Sequence, residues 1–131
     1  MKYLLDSNVV IDILRDDAGV TTRYETESKN GNEILTCPIV YYEIIRGFEI
    51  SNASKKLDKF LDYFNDWRDL PLDVAVMEKA AEIYVALHRG RQIEDNDIYI
   101  AATAIVNGCT LVTANDKHFS RIDGLKVENW R

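Results

Sequence analysis

Short apolar runs, each the length of a single buried strand, recur along this chain and are separated by stretches with helical periodicity. Tyr3-Leu4-Leu5, Ile34-Leu35-Thr36-Cys37 and Thr110-Leu111-Val112-Thr113 are the clearest; Leu70-Pro71-Leu72 is short, extended and limited by its proline, and Leu125 to Val127 adds a last one. Strands that alternate with helices are joined by crossovers, so they pair in parallel and bury both faces of the sheet. The expectation is an α/β fold, one domain over residues 1–131 with a central parallel sheet of about five short strands flanked by helices. No repeat, low-complexity tract or linker divides the chain.

The intervening segments carry their own start and stop signals. Val9, Ile13 and Leu14 recur at helical spacing after Asp6-Ser7-Asn8, and a solvated helix is expected around Thr21 to Lys29, stopped by Asn30-Gly31-Asn32. Pro38 suits a first helical position, followed by Val40, Ile44 and Phe48 on one face. Asn52 to Trp67 reads as an amphipathic helix with Leu57, Phe60, Leu61 and Phe64 inward. Asp73 caps a helix through about His88, ended by Gly90. A polar loop, Gln92 to Asn96, leads into a helix from Asp97 to Val106, closed by Asn107-Gly108.

Charge narrows the function. A net charge of -6 and a pI near 4.9 do not suit a surface that grips nucleic acid by bulk electrostatics. A polyanionic substrate would need local cations, for which Arg46, Lys55, Lys56, Lys59, Arg68, Arg89, Arg91 and Lys117 are available, or bound metal ions that reverse the sign of an acidic pocket. Cys37 and Cys109 lie in apolar strand-like segments without a ligand pattern and read as core residues of a reduced protein. No apolar run is long enough for a signal core or a membrane span, so a cytoplasmic location is expected.

Four acids stand where a soluble domain would ordinarily place a less costly residue. In an open parallel sheet, chemistry gathers beyond the carboxyl ends of the strands, where Asp6 and the segment after Thr113 both fall. Asp6 serves equally as a helix cap. Glu43 borders the apolar face of its helix and is equally readable as a partner for Arg46 at i+3. Asp97 shares a face with Ile100, Ala101, Ala104 and Ile105, whose small side chains allow close approach to the sheet; the alternative is a first-turn aspartate complementing the helix dipole, with Asp95 or Asn96 as cap. Asn115 and Asp116 form a turn after a strand, and either can offer oxygen to a hard cation. Carboxylates gathered without matching cations repel one another, so convergence of these four implies a divalent metal.

Together these residues resemble the ordered landmarks of PIN-domain ribonucleases: Leu4-Leu5-Asp6-Ser7-Asn8, Tyr42-Glu43 to Gly47, Asn96-Asp97-Ile98-Tyr99-Ile100-Ala101-Ala102, and Leu111-Val112-Thr113-Ala114-Asn115 with Phe119. The closing Ile122-Asp123-Gly124-Leu125 to Trp130 is similar to VapC-type toxins of toxin-antitoxin modules. The resemblance implies an endoribonuclease that hydrolyses RNA with metal-activated water, using Mg²⁺ or, as a substitute, Mn²⁺. It implies a catalytic set of Asp6, Glu43, Asp97 and Asp116, with Asp6 and Asp97 anchoring the principal ion, Glu43 and Asp116 positioning a second ion or water, and Ser7 and Thr113 as supporting hydroxyls. The chain departs from the family where Asn115 occupies a place that is often aspartate, and where Glu94 and Asp95 precede Asp97. Also implied are a homodimer and an antitoxin partner, for which Tyr41, Tyr42, Phe48, Tyr63 and Trp67 are candidate contacts. His88 and His118 are expected on the surface. Two rivals stay open: a phosphatase with Asp6 as nucleophile, although Asn8 replaces the second aspartate of its usual motif, and a non-catalytic receiver-like domain.

Overall fold

The computed structural model describes residues 1–90 and 93–131; Arg91, and Gln92 at the start of the expected loop, lie outside the described residues. Among the described residues five strands form one all-parallel sheet: β1 (Lys2–Leu5), β2 (Glu33–Thr36), β3 (Arg68–Asp69), β4 (Thr110–Val112) and β5 (Lys126–Glu128), in the order β3-β2-β1-β4-β5. The helices are α1 (Ser7–Leu14), α2 (Ala18–Lys29), α3 (Pro38–Ser51), α4 (Ser54–Asp66), α5 (Val74–Leu87), α6 (Asp95–Val106) and the single turn α7 (Asp116–Phe119). The expected α/β architecture is therefore present.

Successive strands move outward from β1 to β3, and the chain then returns to the other side of β1 for β4. The reversal opens a crevice between the carboxyl ends of β1 and β4, the place where open α/β sheets collect their ligands. Leu4, Leu5, Leu35, Leu111 and Val112 are sealed in the sheet, and Phe60, Val40, Ile44, Ile100 and Ala101 pack from the helices. Ala101, Ala102 and Ala104 are all buried, consistent with α6 lying close against its neighbours.

Several boundaries differ from expectation by a few residues, among them the start of α4 at Ser54, since Asn52 is instead the left-handed cap that ends α3. The fourth apolar run is not itself the strand: β3 is the exposed pair Arg68–Asp69, registered on Leu35 and Thr36, and Leu70 supplies only a backbone bond to the Thr36 carbonyl before Pro71 ends the pairing. α2 starts at Ala18, earlier than its apolar content suggests, because the Asp17 carboxylate accepts from the Val20 N–H at 3.1 Å. α6 starts at Asp95, with Glu94 rather than Asp95 or Asn96 at the cap position and no side-chain capping bond. Asp73 caps α5 as expected, its Oδ1 accepting from Val76 N–H at 3.0 Å.

Of the aromatic residues considered for interfaces, Phe48 and Trp67 are core, and Trp67 Nε1 donates to the Tyr24 hydroxyl at 2.9 Å. Tyr63 stacks on Trp67, whereas Tyr41 and Tyr42 keep exposed surface. Both cysteines are free and buried, and burial pushes the Cys37 thiol up to about 11. Among the described residues no helix is long and apolar enough to cross a membrane.

Candidate active site

Asp6 sits at the switch crevice, 3% exposed, and caps α1. Its Oδ1 accepts from the Ser7 N–H at 2.8 Å, while Oδ2 accepts from the Thr113 hydroxyl at 2.8 Å and the Asn8 amide at 3.3 Å. Asn8 also accepts from the Ala114 N–H at 3.1 Å, and Thr113 Oγ1 accepts from the Asn115 N–H at 3.0 Å. The ends of β1 and β4 are thereby stitched around one carboxylate. None of these partners carries a positive charge. Burial holds the Asp6 carboxyl above its ordinary range, its hydrogen bonds with Thr113 and Ser7 work against that, and the Asp97 charge adds to the rise.

Glu43 and Asp97 share that field. Glu43, on α3, has Oε1 buried with no hydrogen-bond partner, and its Oε2 reaches Arg46 only at 3.9 Å. Burial raises its pKa first, then the charges of Asp6 and Asp97; the Ser7 hydroxyl and Arg46 oppose the rise. Asp97, in the first turn of α6, is raised by burial and held back by His118, whose Nε2 lies 3.2 Å from Asp97 Oδ2, with Glu94 adding a further repulsion. Three carboxylates from three separate elements thus each stand in a field that at least one other acid makes more negative. Asp6, the one of the three that is fully buried, departs from the usual rule that buried charge is paired with opposite charge.

The fourth position resolves differently. Asp116 opens α7 and its Oδ1 accepts from the Asn129 amide at 3.1 Å; Asn115 is exposed. Neither side chain is bonded to Asp6, Glu43 or Asp97. His118 is the residue that sequence reasoning misses. The expectation of a surface position holds for His88, which is exposed, but the turn of α7 carries His118 onto Asp97. The only signal is its position about one helical turn after Asn115, which is meaningful only once α7 is known to form.

Among the described residues, no three histidine, cysteine, aspartate or glutamate side chains already stand together as a metal-gripping group. The donor set nevertheless fits a hard divalent cation. It is all carboxylate oxygen at the core, it includes one sealed oxygen without a partner, and its charges repel one another until a cation intervenes.

The PIN domain family model matches residues 3–125. The chain belongs to the PIN domain family. It is 33% identical over 129 residues to Ribonuclease VapC1 of Methanocaldococcus jannaschii, covering 96% of this chain and 86% of that protein. It is 32% identical over 124 residues to Ribonuclease VapC19 of Mycobacterium tuberculosis, covering 94% of this chain and 96% of that one. Among solved structures, a chain of VapBC2 from Rickettsia felis, bound to a DNA fragment from its promoter, superposes with a TM-score of 0.89 at 30% identity, over all of both chains. The PIN fold supplies the frame in which this chain's acids Asp6, Glu43 and Asp97 stand together.

Proposed function

We infer that this PIN-domain protein is a divalent-metal-dependent endoribonuclease of the VapC type, the toxin member of a type II toxin-antitoxin pair. The observation that carries the reading is buried Asp6 at the β1/β4 crevice, which receives only neutral donors and shares one negative field with the half-buried Glu43 and Asp97, in a chain alike over nearly its whole length to proteins named Ribonuclease VapC. The domain is taken as residues 1–131, the ion as Mg²⁺ with Mn²⁺ as a substitute, the location as cytoplasmic, and the assembly as a homodimer that an antitoxin inhibits.

Asp6 and Asp97 are the proposed ligands of the principal ion. A bound divalent cation supplies Lewis acidity, a lowered pKa for water and stabilisation of charge developing on the phosphate. Asp6 is pre-oriented for that role by Thr113 and Ser7, and Asp97 by His118. Glu43 offers its free Oε1 to a second ion or to a water. Asp116, held by Asn129, is the fourth member of the proposed set.

Purified protein should cleave single-stranded RNA in Mg²⁺ and stop on chelation, and Asp6→Asn or Asp97→Asn should abolish cleavage. Cleavage that survives chelation and both substitutions would overturn the mechanism. An acyl-phosphate trapped on Asp6 would favour the phosphatase instead.

A further inference from the structure

A groove of about 460 Å³ runs from Glu43 between α1, α3 and α4, and the catalytic set makes no use of most of it. Ile11, Ile44 and Phe48 give it apolar walls, and two cations, Arg15 at the end of α1 and Lys56 on α4, stand on it. Lys59, Arg23 and Arg131 are spent on carboxylates. Among the described residues, neither Arg15 nor Lys56 has an ion-pair partner, and both are exposed. In a chain of net charge -6, two free cations beside an acidic centre are a local reversal of sign.

The floor carries a second, independent mark. Glu43, Gly47 and Ser51 follow at i, i+4 and i+8 along one face of α3. A Cβ at Gly47 would meet no atom within 4 Å, so packing does not require the glycine, although glycine is unfavourable inside a helix relative to alanine. What its absent side chain does is leave the groove open.

We propose that this groove seats a nucleotide of single-stranded RNA flanking the cleaved bond, with Arg15 and Lys56 on its backbone phosphates and the apolar walls against its base. The inference rests on the ribonuclease reading above and adds where the strand runs. The groove falls within the size that encloses a small ligand, roughly 300–1,000 Å³, which is room for a single nucleotide unit. RNA rather than an acidic peptide is the occupant because the groove starts at Glu43 of the set to which the ribonuclease reading assigns phosphodiester cleavage, and the strand on either side of that bond brings phosphates to Arg15 and Lys56.

The test is steady-state cleavage of a fluorogenic single-stranded oligoribonucleotide in Mg²⁺ over a range of salt. Arg15→Ala and Lys56→Ala should each raise KM about tenfold with kcat little changed, and the double variant should flatten the dependence of log KM on log salt by about 1.4, roughly 0.7 per lost phosphate contact. Gly47→Leu should raise KM without altering the salt slope; Gly47→Ala, which only adds a methyl group, is the folding control, with melting followed in parallel. Lys29→Ala makes the same charge change on an exposed position of α2 and should leave KM as it was. Unchanged KM and salt slope in an active enzyme overturn the groove alone. Loss of inhibition by the cognate antitoxin with KM intact also overturns it and assigns the groove to a protein segment. If the wild-type protein cleaves no RNA, the ribonuclease reading itself has failed and this one falls with it.

Discussion

Asp6 and Asp12 belong to one helix, Asp6 as its cap and Asp12 within it, and both are nearly sealed from water at 3% and 7% exposure. Asp12 is matched by a guanidinium: Arg131 Nε and Nη2 donate to its two oxygens at 2.6 and 3.0 Å. Asp6 receives only neutral donors and faces two other carboxylates. The residues just before Arg131 are tied down as well. Glu128 pairs with Arg23, and Trp130 packs edge-on to Tyr3 under the same arginine. One acid of α1 therefore closes the structure, and the other is left fixed and without a cation, an arrangement that a bound cation would complete. Buried acids are informative through their partners more than through their burial.

The contrast can be broken most sharply at Asp6 itself. Asp6→Asn, like Asp97→Asn, should lower cleavage by at least about 1,000-fold, on the order of 4 kcal/mol of transition-state stabilisation, while urea unfolding in metal-free buffer shows no loss of stability. A marked loss of stability with Asp6→Asn would make Asp6 a structural residue like Asp12. Asp12→Ala should do the reverse, costing about 1–3 kcal/mol of folding stability with cleavage by the folded fraction retained. The figure sits below that for a fully buried pair because half of the Arg131 side chain is exposed.

His118→Ala should weaken Mn²⁺ binding by about tenfold, the lower end for a residue that orients a metal ligand, as titration calorimetry would read. An unchanged affinity would reduce the His118 contact to a surface pairing. Asp116→Asn should have a smaller effect, under about tenfold in kcat/KM, since Asn129 rather than another acid holds that carboxylate. A loss as large as that from Asp6→Asn would move Asp116 to the centre of the site.

Acidity separates the two kinds of acid more gently. Asp6, Glu43 and Asp97 all have folded-state pKa values raised above their ordinary range, so the folded protein holds protons there that the unfolded chain releases. Their contribution to stability is therefore present below the ordinary carboxylate range and is lost as pH rises through the raised values. A divalent cation removes the same repulsion without a proton. The rise in Tm on adding Mg²⁺ should be greater at neutral pH than in mild acid, and a rise that is equal at both would sever the carboxylates from the metal.

Much of this site is legible in the chain alone because local patterns carry it. The three-residue run ahead of Asp6 and the alanines behind Asp97 mark elements whose ends must meet at the edge of a parallel sheet, and Pro38 fixes where the helix bearing Glu43 begins. Other features have no local signature. Arg68–Asp69 is a strand only because Leu35 and Thr36 lie beside it, and α7 is a single turn with no apolar period to announce it.

The sequence by itself determined a parallel α/β sheet, its helices and the acids that stand at strand and helix ends, because periodicity and capping are properties of neighbours along the chain. Only the tertiary structure decided which buried acid found a cation, that Glu43 kept a sealed oxygen without a partner, and that His118 turned onto Asp97. Those outcomes depend on residues about 20 to 120 positions apart brought within hydrogen-bonding reach, and no local pattern records such distances.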